Sequence, residues 1–165
     1  MSFGSVENYQ DSGELEVLES GMGQWIKVYS ASAIVNGKAC AIIVEAVTAA
    51  TPDCSRYAVA AVQETTARTA MIGVVDNGIL GKSGIAAGGY GFVCVRGQVE
   101  AYGGATVVAN RFLKVLAAED EFKDGAVASS GDGPATCNAV SIDALADGEL
   151  STIFLLGRLN TVAAA

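Results

Sequence analysis

The sequence contains no histidine, and this absence removes the commonest kinds of active site. Ser-His-Asp and Cys-His relays both need an imidazole to take the proton from the nucleophile. The four cysteines, Cys40, Cys54, Cys94 and Cys137, form no C-x-x-C pair and have no histidine to complete a zinc site. We therefore expect a protein that is not an enzyme and that needs no metal or other cofactor.

Basic residues are scarce as well: ten Lys and Arg stand against eighteen Asp and Glu, giving a net charge of −8. A protein this acidic is repelled by nucleic acid and by anionic membranes, so neither is an expected partner. The apolar runs are short, and Glu45 interrupts the best of them, which argues against a membrane span. The start MSFGSVENYQ lacks the features of a signal peptide, so we expect cytoplasmic synthesis and free, buried thiols.

The apolar half of the composition is made of small residues. Hydrophobic residues are 51% of the chain but aromatics only 7%, and alanine and valine dominate. A chain of 165 residues suits one domain. Small apolar side chains fill thin layers and close contacts between subunits.

The stretch GVVDNGILGKSGIAAGGYGF, from Gly73 to Phe92, contains a Gly-Lys-Ser triplet of the kind found in phosphate-binding loops. Such a loop needs a glycine five residues before Gly81, and Asp76 stands there instead. The loop must also open a helix, but the residues after Ser83 are rich in glycine, which disfavours a helix. The stretch predicts a strand, an Asp-Asn-Gly turn at 76–78 and a glycine-rich link to the next strand.

Residues 1–24 differ from the rest because they carry five acids and no basic residue. Two readings remain open: a disordered acidic tail, or an arm that becomes ordered on a partner. Leu15 to Glu19 fits a strand or the start of a short helix. We divide the chain into an acidic N-terminal arm (1–24) and a β domain (25–165). The candidate partner-contact residues are the apolar side chains of the arm and the first tryptophan after it: Phe3, Val6, Tyr9, Leu15, Val17, Leu18 and Trp25.

From Trp25 onward the pattern is almost entirely that of strands separated by Gly, Asn and Asp. This spacing predicts an all-β fold, a compact antiparallel sandwich or barrel. No amphipathic helix of the length that a parallel α/β sheet requires is evident. The predicted strands cover residues 24–29, 33–35, 39–49, 57–63, 69–76, 92–101, 105–110, 111–117, 135–142 and 151–159.

The remaining polar residues have structural explanations. We expect a solvated loop, and not a catalytic pair of carboxylates, at the acidic cluster Glu119, Asp120 and Glu121. Arg96 is expected to face solvent or to pair with Glu100. Trp25 is expected to anchor a core or an interface.

Four stretches resemble the small head decoration, or cement, proteins of tailed bacteriophages. They are MIGVV (71–75), YGFVCVRGQVEAYGG (90–104), VVANRFLKV (107–115) and the segment 124–159 that ends in IFLLGRL. The resemblance covers a little over half of the chain and rests on strand and turn patterns. It implies a compact β domain located on the capsid exterior of a virion.

The resemblance also implies partners. It implies a homotrimer at three-fold and quasi-three-fold positions that ties subunits of the major capsid protein together against DNA pressure. By analogy, the N-terminal arm would add a strand to the shell. The alternatives are a fibre, tail or carbohydrate-binding module, which needs an exposed aromatic platform, and a histidine-free enzyme, which needs a carboxylate with a shifted pKa in a cavity.

Overall fold

The protein is described here from a computed structural model, in residues 17–20, 23–45, 58–62, 71–116, 119–125 and 137–157. These residues form strands, turns and a 3-10 turn at Gly78–Leu80, without an α-helix in the described ranges. The strands are β1 (Val17–Ser20), β2 (Gly23–Ser30), β3 (Ile34–Val35), β4 (Ala39–Glu45), β5 (Ala58–Val62), β6 (Met71–Val75), β7 (Gly84–Ile85), β8 (Gly89–Tyr102), β9 (Phe112–Val115), β10 (Phe122–Asp124), β11 (Ala139–Ser141) and β12 (Leu150–Leu156).

Ten of these strands make one sheet that curls into a nearly closed, barrel-like sandwich. Its order is β1-β2-β5-β4-β6-β8-β12-β11-β9-β10, and an additional pairing of β2 with β8 closes the first part into a ring. The pairings are antiparallel except for β2 with β5, which are parallel. β3 and β7 form a separate two-stranded ribbon. The expected all-β antiparallel fold is confirmed.

The long strand β8 belongs to both parts of the sheet. Its first half pairs with β2, and its second half pairs with β12 from Arg96 to Tyr102. Cys94 packs in the larger core cluster, and so do Val99 and Ala101 further along the strand. The β8 residues that face the larger cluster are therefore even-numbered at Cys94 and odd-numbered from Val99 onward. The cause is a β-bulge, because the β2 register jumps from Arg96 to Cys94 opposite Gln24 and Trp25.

The strands in the middle of the molecule are buried on both faces, which explains their unbroken apolar sequence. In β4, Ala39 and Ala41 pack in the larger cluster with Leu113 and Ile153, whereas Cys40 and Ile42 pack in a second cluster with Val93. Alternate residues of one strand thus supply two cores. The small alanines fit where two layers approach closely.

Most of the predicted strands are confirmed, but the one at 105–110 is wrong. Val107 makes an isolated bridge to Leu145, with Val107 N–H donating to Leu145 O at 3.0 Å and Leu145 N–H donating to Val107 O at 2.8 Å. Val108 is then exposed, and Asn110 has a left-handed φ of 62° that turns the chain into β9. Asparagine tolerates this conformation better than most residues, and it ends the extended run. The short strand β7, within the predicted glycine-rich link, was missed.

The end of the acidic segment forms a hairpin with the β domain. β1 pairs with β2 from Val17↔Ile26 to Ser20↔Gly23, so Leu15–Glu19 is a strand in its described part. Arm residues 1–16, 21 and 22 lie outside the described residues. Among the described residues, no helix has the length and apolar character needed to cross a membrane.

Candidate functional site

The Gly81-Lys82-Ser83 triplet lies in a turn that Asn77 holds closed. The Asn77 side chain is fully buried: its Nδ2 donates to Gly84 O at 2.8 Å, and its Oδ1 accepts from Phe92 N–H at 2.9 Å. The backbone N–H groups of Leu80 and Lys82 both donate to Asn77 O. Lys82 itself is exposed and follows Gly81, whose φ is 68°. The triplet does not open a helix, so the predicted turn is confirmed in place of a phosphate loop.

Trp25 is the predicted contact residue whose side chain the structure describes. It is partly buried against the larger core cluster, and its Nε1 donates to Asp76 Oδ2 at 2.9 Å. Trp25 thus anchors the bulged part of β2 on the turn after β6. Val17 and Leu18 lie in β1, at the edge of the sheet. Phe3, Val6, Tyr9 and Leu15 lie outside the described residues.

The acidic residues before β10 are partly buried, unlike the solvated loop that the sequence suggested. Lys38 Nζ lies 3.2 Å from Asp120 Oδ1 and 2.6 Å from Glu121 Oε1. The same ammonium group lies 4.9 Å from the centre of the Tyr102 ring. The backbone Ala39 N–H also donates to Asp120 O at 2.8 Å. These contacts join the start of β4 to the segment before β10.

The Lys38 cluster predicts a pH-dependent part of the stability. Burial alone lowers the pKa of Lys38, but hydrogen bonds and charges from Glu121 and Asp120 outweigh it, so the pKa is raised above 10.5. The stabilisation is therefore complete below pH 10.5 and is lost as the pH rises through the folded-state pKa. We expect Lys38→Met to lower the free energy of unfolding by about 1 kcal/mol at pH 8.

Urea unfolding of both proteins from pH 8 to pH 11 measures this difference, which should shrink above pH 10.5. Lys123→Met is the matched control. Lys123 pairs only with Glu119 among the ion pairs resolved, at 2.7 Å, and its side chain is about one-third exposed. The control should cost no more than about 0.5 kcal/mol. A Lys38→Met difference that stays constant across this range would contradict the assignment.

The described cysteines are buried, as the sequence suggested. Burial raises the pKa of the Cys40 thiol to about 12. The pKa of Cys94 is raised to about 12 as well, mainly by burial, although a backbone hydrogen bond of Arg96 opposes the shift. Thiols with such pKa values carry almost no thiolate at neutral pH, so Cys40 and Cys94 are structural packing residues. Cys54 lies outside the described residues.

Among the described residues, the exposed apolar side chains Phe112, Ile142 and Phe154 lie on the outward side of the sheet formed by β9, β11, β12 and the second half of β8. Strand register sets its side chains in rows across the sheet. The central row is Phe112, Val140, Phe154 and Gln98, and both phenylalanines are 42% exposed. We call this surface the outer face, and its exposed or half-buried members include Arg96, Gln98, Glu100, Phe112, Lys114, Val140, Ile142, Thr152, Phe154 and Leu156.

Buried Ser141 fixes the chain that leads into the outer face. Its Oγ accepts from Arg111 N–H at 2.9 Å and lies 3.1 Å from Val108 O, to which it donates. Asn110 N–H donates to Ser141 O at 2.9 Å. These bonds hold the bend at Asn110 and direct Phe112 outward at the start of β9. Sequence periodicity predicted strands here, but it did not show that their apolar outward positions share one row.

The structure also has an open groove beside the β3–β7 ribbon. Its volume is about 530 Å³, and its lining includes Ile34, Val35, Lys82 and Ile85. Among the described residues of the lining, Lys82 is the one that carries a charge, and none is a carboxylate suited to acid–base chemistry. Among the described residues, no group of three or more His, Cys, Asp or Glu side chains is placed to hold a metal ion.

Arg96 and Glu100 are exposed on the outer face and make no ion pair with each other in the described structure. They lie four residues apart on β8, about 13 Å along the strand. Of the two alternatives expected for Arg96, exposure to solvent is therefore the one that the structure confirms.

No family model matches the sequence, and no curated protein matches it. Among solved structures, the chain is similar to the crystal structure of the N base of head fibre gp8.5 of bacteriophage phi29. The TM-score is 0.50 and the sequence identity 9%, and the similarity covers 82% of this chain and 95% of that chain. Likeness at this identity concerns the fold alone.

Proposed function

We propose that the protein is a structural component of a phage head, and specifically a decoration or cement protein on the outer surface of the capsid. The observation that carries the proposal is the fold shared with the N base of a phage head fibre over 95% of that chain. Sequence patterns over residues 71–159 point to head decoration proteins by a separate route. In this role the protein works as a homotrimer at three-fold and quasi-three-fold positions, without catalysis or a cofactor.

The surface chemistry supports this proposal. With a net charge of −8, the protein is repelled by the DNA packaged inside a head, so an exterior position costs it no unfavourable contact. A cement acts through many modest contacts with its partner, the major capsid protein, and repeated seating on the shell multiplies their effect. The edge strand β1 is a surface suited to contacts of this kind.

The arm supplies the contact with the shell in this proposal. β1 is at one edge of the ten-stranded sheet, and residues 1–16 precede it. At about 3.3 Å per residue, this length reaches up to about 50 Å. An edge strand preceded by an acidic extension with interspersed apolar side chains is suited to β-augmentation, in which it adds to a sheet of the partner.

A head-fibre base is the second candidate function. The similar structure is the base of a phage head fibre, so a fold of this kind serves in such a fibre. Both candidates place the protein in the virion, but they differ in copy number. A cement covers the whole shell, whereas a fibre occupies few positions.

Copy number in purified particles separates these candidates. We expect this chain and the major capsid protein to be present in near-equal amounts, measured by quantitative mass spectrometry with labelled reference peptides. A few copies per particle would replace the cement assignment by a fibre or tail component. Absence from particles would overturn the structural role altogether. A copy of the chain lacking residues 2–16 should then fail to bind particles that lack the protein.

A further inference from the structure

We propose that the outer face binds a second copy of this chain through a two-fold symmetric, face-to-face contact. This contact is independent of the surface that meets the shell. In the proposed function it would join neighbouring trimers to one another, but it needs no capsid to form. The inference rests on the arrangement of apolar and charged side chains that the strand register imposes.

The first step is the composition of the rows. The central row places Phe112 and Phe154 on either side of Val140, each directly opposite it across a strand pair. Directly opposed side chains on neighbouring strands have Cβ atoms about 5 Å apart, so these three form a continuous apolar ridge. An exposed ridge with two phenylalanines is the kind of surface that proteins use for association.

The second step is the position of the charges relative to this ridge. On one side of it, Leu156 is paired with Arg96, and on the other side Thr152 is paired with Glu100. Arg96 and Glu100 are therefore on the same strand, one row above and one row below Gln98. Both side chains are exposed. The face is positive on one side of the ridge and negative on the other at the β8 end.

The third step is symmetry. Two copies can be stacked face to face and related by a two-fold axis that runs along the ridge. This axis places the Arg96 row of one copy opposite the Glu100 row of the other, and the two ridges opposite each other. Phe112 and Phe154 then meet their own equivalents, and Arg96 meets Glu100 of the second copy twice over. A two-fold contact must be self-complementary, and this face is self-complementary in its apolar ridge and in the charges of Arg96 and Glu100.

The area of the face sets the expected strength. Between Cα atoms, four strands and three rows span roughly 14 Å by 14 Å. That is below the area per partner of a standard stable interface. We therefore expect a weak association, with a dissociation constant in the micromolar range or above, that becomes effective when many copies lie side by side on a surface.

Charge exchange between Arg96 and Glu100 tests the contact. Arg96→Glu and Glu100→Arg each replace two attractive pairs by two repulsive ones, so each variant alone should associate at least about tenfold more weakly than the wild type. An equimolar mixture of the two variants restores both attractive pairs, and so does the double variant R96E/E100R. Both should associate within a few-fold of the wild type. The measurement is sedimentation velocity over a range of concentrations, with Lys82→Glu as the control for an exposed charge away from the face.

The expected pattern is loss in each single variant and recovery in the mixture. If the single variants and their mixture associate equally, the two-fold contact is wrong and the face has another occupant, such as the shell. A wild type that shows no concentration-dependent association also overturns it. Any trimer held by another surface remains in every variant, so its presence does not affect the comparison. Phe154→Ser should weaken association in all these backgrounds, which tests the ridge independently of charge.

Discussion

Replacing Asn77 by alanine should lower the free energy of unfolding by about 3–5 kcal/mol. The side chain is fully buried, and it is the partner of two backbone groups, Phe92 N–H and Gly84 O. Without it, both groups stay desolvated and lose their hydrogen bonds, at about 1–3 kcal/mol each. Urea unfolding followed by tryptophan fluorescence measures the change, because Trp25 is bonded to Asp76, the residue before Asn77.

Asn36→Ala is the matched control for this prediction. Asn36 bonds to the same turn, with Oδ1 accepting from Asn77 N–H and Nδ2 donating to Lys82 O, but the latter bond is exposed to solvent. Water can replace the lost partners there, so the expected cost is only about 1 kcal/mol. Equal effects of the two substitutions would show that Asn77 is not the centre of the turn.

Asn77 shows which features of the turn could be predicted from the sequence and which could not. The Asp-Asn-Gly triplet predicted a turn, because these residues favour turns for local reasons. It did not reveal that the asparagine is buried or that it reaches β7 and β8, because such contacts depend on how distant segments come together. Local preference identifies the turn, whereas the tertiary fold decides which of its side chains is essential.

The strand predictions succeeded where burial agrees with local pattern. β4 is apolar from Ala39 to Val44, and its residues 39–43 are buried on both faces, so its sequence predicted an extended, internal strand. The prediction failed at 105–110, because valine content favours a strand but Asn110 and the bonds of Ser141 bend the chain there. The bulge in β8 was also invisible, since it depends on the register of β2.

The outer face was the part of the candidate site that sequence could not supply. Phe112, Val140 and Phe154 are 28 and 14 residues apart, and each looks like an ordinary strand residue. Only the antiparallel order β12-β11-β9 brings them into one row. The alternation of side chains along a strand is enough to predict that Arg96 and Glu100 are exposed. To predict that they lie on opposite sides of the ridge, one must also know the register between β8 and β12.

Gly84→Ala should destabilise the protein by about 2–3 kcal/mol, through overpacking against backbone rather than through conformational strain. A methyl group at Gly84 would overlap Ile34 O and approach Val35 Cα at 2.9 Å. Both atoms belong to β3, which pairs with β7 at this point, so the ribbon would have to open. Its separation would displace Ile34 and Ile85, which are buried in the second core cluster.

Gly81→Ala separates this effect from glycine's conformational freedom. Gly81 has a φ of 68°, but nothing lies within 4 Å of a methyl group placed there. Its substitution costs only the left-handed conformation, about 1 kcal/mol. Urea unfolding of the two variants should therefore rank Gly84→Ala as clearly more damaging. If Gly81→Ala is the more damaging, β3 and β7 separate at little cost in free energy. The burial of Ile34 and Ile85 would then contribute little to stability, and the overpacking argument would be wrong.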